Sequence, residues 1–157
     1  MQRTLALSLI LFGLFITSSA ITSTPATAAE LITKKSPHTV SVTIDNLKKA
    51  VEKAGAKVFA RVDHAAGAKK VGSKLRPTQM LMFGNPKLGT PAMLASQTAG
   101  LDLPLRVVAY KDKKGDVYLA YHAPATIAKT HGIPTDAEVI KKMTGALNKL
   151  TNAAIKK

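Results

Sequence analysis

The stretch LPLRVVAYKDKKGDVYLAYH, residues 103–122, decides the fold class. Two runs rich in β-branched and aromatic residues, Leu103–Tyr110 and Asp116–His122, flank the turn-forming Asp112-Lys113-Lys114-Gly115. That pattern reads as a β-hairpin with a short Gly-containing loop. Along its second strand Val117, Leu119 and Tyr121 share one face, and Tyr118, Ala120 and His122 the other. With the turn centred near Lys113-Lys114, Tyr121 falls opposite Arg106 and His122 opposite Leu105. A hairpin implies antiparallel pairing, and the strands upstream extend the sheet. Lys57–Val62 reads as a strand with Val58, Ala60 and Val62 on one side. Thr78–Gly84 contains the unbroken apolar run Met80-Leu81-Met82-Phe83, as in a strand covered on both faces. Residues 30–35 read as a first, edge strand, interrupted by Pro37.

Helices lie around these strands. Thr43 is placed as an N-cap, with Ile44, Leu47, Val51 and Ala54 on one helical face and Gly55 as the stop. Asp63 to Pro77 reads as a polar, Ala/Gly-rich connection. Asn85 to Gly89 reads as a turn, after which Thr90-Pro91 opens a short helix over Ala92–Ser96. Pro124–His131 is a second short helix. The last helix carries the clearest signal. Thr135 and Glu138 have the spacing of a capping box, and Ile140, Met143, Leu147, Leu150 and Ala154 form a core-facing stripe. Lys156 and Lys157 suit the negative end of its dipole. The element order predicts an α+β fold, a mostly antiparallel sheet with helices packed on one face.

The N-terminus reads as a leader. Arg3 precedes the apolar run Leu5–Ile16, and Ala26-Thr27-Ala28 offers a small-residue cleavage site. The run is shorter than the ~20 residues that a membrane-crossing helix needs. The expectation is a signal peptide over residues 1–28, then one domain over 29–157, periplasmic or secreted, with no membrane span after cleavage. The chain has no Cys, so disulfides, thiol catalysis and thiolate–metal sites are excluded. Net charge is +14, with 23 Lys and Arg against 9 Asp and Glu. Without Arg3, the only charged residue before Glu30, 22 basic residues remain and the charge is +13. Such a surface favours anionic ligands or polymers. The absence of Trp and the 4% aromatic content argue against nucleic acid as partner.

Several blocks carry a family likeness: residues 59–68 (FARVDHAAGA), 75–78 (LRPT), 83–91 (FGNPKLGTP) and 101–105 (LDLPL), with Tyr121 and Pro124. Together they resemble the domain-of-unknown-function 302 family over about Val40 to His131, with the last helix beyond that core. His122 stands where the family has Asn or Asp. The resemblance implies a TATA-binding-protein-like α+β domain, commonly a homodimer, and no established activity.

Candidate chemistry gathers at the turns. His64 is a candidate general base, with Asp63 or Asp102 as the orienting carboxylate; equally, Asp63 can cap the Ala/Gly segment that follows it. Asn85 can offer its amide to a ligand or simply close a tight turn. Asp102 and Tyr121 lie near one end of the sheet, while Tyr121 and His122 point to opposite faces. The ligand-binding candidates are therefore Asp63, His64, Asn85 and Tyr121. His38, His64, His122 and His131 show no metal-ligand spacing, so no metal or other cofactor is expected. Three functions stay open: an exported, non-catalytic module binding a small ligand; an acid–base or hydrolytic enzyme using His64; and a basic module binding anionic envelope polymers.

Overall fold

The computed structural model describes residues 30–157; the expected leader, residues 1–28, lies outside them. Five strands are present: β1 (Leu31–Ser36), β2 (Lys57–Asp63), β3 (Thr78–Gly84), β4 (Leu105–Lys111) and β5 (Val117–His122). The helices are α1 (Val40–Lys53), α2 (His64–Lys70), α3 (Pro86–Ala95), α4 (Pro124–Thr130) and α5 (Glu138–Ala154), with a 3-10 turn over Gln97–Leu101. All strand pairs are antiparallel, in the order β1-β5-β4-β3-β2. This is the expected α+β architecture.

The predicted hairpin forms one residue out of the expected register. Tyr110 faces Tyr118 and Val108 faces Ala120, which sets Tyr121 level with Val107 rather than Arg106. The loop causes the difference. The Asp112 N–H donates to the Asp116 carbonyl, and the Asp112 carboxylate accepts from the N–H groups of Lys114 and Asp116. Asp116 therefore belongs to the loop, and Gly115, at φ +92°, supplies a turn that other residues resist. A one-residue slip exchanges faces, so this loop determines that Tyr121 enters the core.

β2 also departs from its simple reading. Val58 pairs with Phe83 and Ala60 with Met82, leaving Phe59 as the extra residue of a bulge. Val58 therefore packs on the core side, while Ala60 and Val62 join Met80 and Met82 on the opposite face.

The core lies between the sheet and a helical layer. Ile44, Leu47 and Val51 of α1 meet Leu81, Phe83, Val107 and Leu119 of the sheet, and Leu147, Leu150 and Ala154 of α5 close the layer. A second cluster, including Ala92, Ala99, Ala128, Ile140 and Met143, joins α3, the 3-10 turn and α4 to α5. β1 is tied to α5 by Lys34, whose ammonium donates to Thr151 Oγ1 (2.8 Å), Asn152 Oδ1 (2.8 Å) and Asn148 Oδ1 (3.2 Å).

Helix starts differ from their sequence signals in four places. Thr39, not Thr43, caps α1, accepting from the Val42 N–H. Thr43 is buried inside the helix, its hydroxyl 2.7 Å from that of Ser36. The segment after Asp63 is helical because Asp63 caps it. α3 begins at Pro86 under an Asn85 cap, so Pro86 takes the first helical position and Pro91 lies inside the helix. α5 starts at Glu138 without a side-chain cap. The backbone turns just before it, with the Ala137 N–H donating to the Pro134 carbonyl, and this moves Thr135 off the capping position.

Candidate functional site

The sequence-derived candidates fall into two groups at opposite ends of the sheet. Asp63 closes β2 opposite Gln79, whereas Asn85 follows Gly84 at the far end of β3. At ~3.4 Å per residue, about 20 Å of strand separates them. The Asp63 carboxylate accepts from the Ala66 N–H (2.9 Å) and the Gln79 amide (3.0 Å). Those hydrogen bonds, the Ala66 N–H foremost, hold its pKa below the usual carboxylate value. Gln79 in turn accepts from Arg61, which also binds Asp45 and Ser41 of α1. Asp63 thus belongs to a network joining β2, β3, α1 and α2. His64, the first residue of α2, is exposed and makes no side-chain hydrogen bond or ion pair among the described contacts.

Tyr121 is buried on the core side and donates to Asn148 Oδ1 at 3.1 Å. Burial raises its pKa. His122 points the other way and is exposed. Asp102 bonds neither of them. Its carboxylate accepts from Arg106 (2.9 Å) and meets His131 Nε2 at 2.8 Å, while His131 Nδ1 lies 3.0 Å from the Thr98 hydroxyl. The His131 side chain is only 4% exposed. The histidine that pairs with Asp102 is therefore His131, from the end of α4. Twenty-nine residues separate them, and no local pattern marks such a pair. Together they fasten the 3-10 turn to α4.

A cavity of about 300 Å³ opens at the end of the sheet shared by Asn85 and Asp102. Its sheet side is formed by Phe59 at the bulge, Phe83 and Gly84 of β3, and Leu103 to Leu105 leading into β4. The Leu103–Pro104 peptide is cis. α3 contributes Leu88, Thr90 and Met93, and α5 contributes Met143, Ala146 and Leu150. Asn85 organises this wall. It caps α3 by accepting from the Lys87 N–H (2.9 Å), and its amide reaches the Gly55 carbonyl at 3.4 Å. Asn85 and Thr90 supply the only polar side chains of the lining, and no titratable side chain takes part. Such a surface can enclose an apolar group and orient it through one or two hydrogen bonds. Among the described residues, no three His, Asp or Glu side chains gather as metal ligands.

Of the sequence candidates, Asn85 alone lines this cavity. By sequence pattern alone Phe59 and Leu103 are strand residues, and Met143 and Leu150 belong to a core-facing stripe. Nothing in one segment shows that the two helix stripes part at the sheet end and leave a space.

Comparison with known proteins places these features in a family. Residues 32–150 match the family model described as Domain of unknown function DUF302. The match takes in most of α5 and so extends beyond the core of about Val40 to His131 that the sequence blocks imply. A crystal structure of an uncharacterized conserved DUF302 protein from Bacillus stearothermophilus shares the fold, with a TM-score of 0.72 at 17% identity, covering 79% of this chain and 97% of that one. Among curated proteins, Fluoride-specific ion channel FluC 1 of Brucella suis is 42% identical over 117 residues. That match spans 73% of this chain and 46% of the relative. Fluoride-specific ion channel FluC 2 of Brucella melitensis is likewise 42% identical, with 43% of its length matched. The chain thus spans less than half the length of the curated relatives it matches. On the strength of the match over residues 32–150, the chain belongs to the DUF302 family.

Proposed function

We propose that this domain is a non-catalytic module that holds a small, largely apolar ligand in the cavity between Phe59, α3 and α5. The observation that carries this reading is the lining: apolar throughout except Asn85 and Thr90, and free of titratable side chains. A lining without a titratable acid or base can bind and orient but offers no general acid or base to move a proton. His64 is remote in the fold from Asp102, and Asp63 is engaged as a helix cap. In the same proposal the chain is exported by its N-terminal leader and works as a homodimer. Ligand-induced thermal shifts across a panel of small apolar compounds test the binding. Ala146→Phe, which fills the cavity from α5, is expected to abolish any shift found. Shifts that survive this substitution would place the ligand elsewhere.

A second reading is favoured by the curated relatives. Those proteins are named as fluoride channels, and less than half of each corresponds to this domain. In this reading the domain acts as an accessory to a membrane transporter. Deleting the chain is then expected to change the fluoride tolerance of its host cells, and unchanged tolerance would set the reading aside.

A further inference from the structure

We infer that the occupant of the cavity is an amphipathic monoanion, its apolar tail among the α3 and α5 side chains and its charged head at Lys57. This rests on the ligand-binding reading above and adds the chemical class. As the extra residue of the bulge, Phe59 leaves the strand ladder, forms part of the cavity wall and is still 53% exposed. A ring in that position marks the mouth. The Lys57 ammonium lies 5.4 Å from the centre of that ring, so a cation stands beside a ring of the cavity wall, although Lys57 itself is not part of the lining.

Lys57 is available to a ligand. It forms no ion pair among the described contacts, whereas most acidic side chains already have partners. Asp45 holds Arg61, Glu52 holds Lys48, Asp102 holds Arg106 and His131, Asp116 holds Lys35, and Glu138 holds Lys142. Asp63 and Asp112 are taken up by backbone N–H groups. No carboxylate lines the cavity to repel an anion or to receive a cationic head group. A second exposed ammonium, that of Lys87, arises between the lining residues Pro86 and Leu88. The interior itself offers nothing to a charge, so the charged end must stay at the rim and the apolar end must go inside.

Titration calorimetry with octanoate, octan-1-ol, octylammonium and hexanoate tests this on the intact protein. Octanoate is expected to bind about tenfold more tightly than octan-1-ol, and octylammonium more weakly than either. Hexanoate, two methylenes shorter, is expected to bind about tenfold more weakly than octanoate. Lys57→Gln should remove the preference for octanoate over octan-1-ol while leaving octan-1-ol binding unchanged. Salt at about 1 M, where screening acts within about 3 Å, should do the same. Equal binding of octylammonium and octanoate, or a preference untouched by Lys57→Gln, would overturn the assignment of an anion while leaving an apolar cavity site intact. If no probe binds, or if all bind Ala146→Phe as well as the natural chain, the cavity reading itself fails.

Discussion

The carboxylate of Asp63 holds the first turn of α2, and its pKa is lowered because the Ala66 N–H bonds the ionised form. A carboxyl whose folded pKa is depressed contributes stability above its unfolded value, 3.8 here, and loses it as pH falls through the folded pKa. Asp63→Asn keeps a capping oxygen but cannot ionise. The stability difference between the two proteins should therefore be constant above about pH 5 and shrink below it, as followed by urea denaturation across pH. The Asp102–His131 pair makes a different prediction. His131 is nearly enclosed, so His131→Ala removes its bonds to Asp102 and Thr98, although Asp102 keeps Arg106, and should cost about 1 kcal/mol. Pairing it with Asp102→Asn in a double-mutant cycle should reveal coupling, since the two side chains touch. At this scale the sequence was only partly legible. Asp63 as a cap follows from residue type and position. Asp102 finding His131 instead of His64 depends on where α4 ends relative to the turn before β4, and that is a tertiary fact.

Elements whose signal is local were the easiest to read. The apolar stripe of α5 repeats within one segment and reappears with Ile140, Met143, Leu147, Leu150 and Ala154 buried; along β5 Leu119 and Tyr121 enter the core, but Ala120 on the other face is buried as well. The starts of α2 and α3 were harder, because one capping side chain decides each of them. Asn85→Ala removes the α3 cap and should cost about 1 kcal/mol in thermal or chemical denaturation; it should also loosen the cavity wall and weaken ligand binding. Leu147 of α5 is 1% exposed and packs into the main core. Leu147→Ala is expected to cost about 2–5 kcal/mol in the same measurement. Phe59→Ala offers the contrast, since so exposed a ring contributes little packing. That change should leave the denaturation midpoint nearly unmoved while weakening octanoate.

At the scale of the whole molecule, the charge is the feature easiest to count and the least informative about architecture. It bears on what approaches the surface, and with most acids already paired the excess lysines are left facing solvent. Homodimerisation belongs to this scale as well: sedimentation should give twice the chain mass, and a monomer at every concentration tested would exclude it. Register was one part of the architecture that residue patterns failed to predict, because the hydrogen bonds of Asp112 within the loop draw Asp116 out of the strand and move the hairpin by one place. The pairing of β1 with β5 has its own consequence. Leu31 lies across from His122, so the first described strand has no partner in the sheet until the last one arrives. Contacts so distant along the chain close slowly. A chain emerging N-terminus first must carry β1 as an open strand while some eighty residues follow, and the sheet is sealed at that edge only once β5 has been made. Truncation before Val117 would thus leave β1 without its ladder.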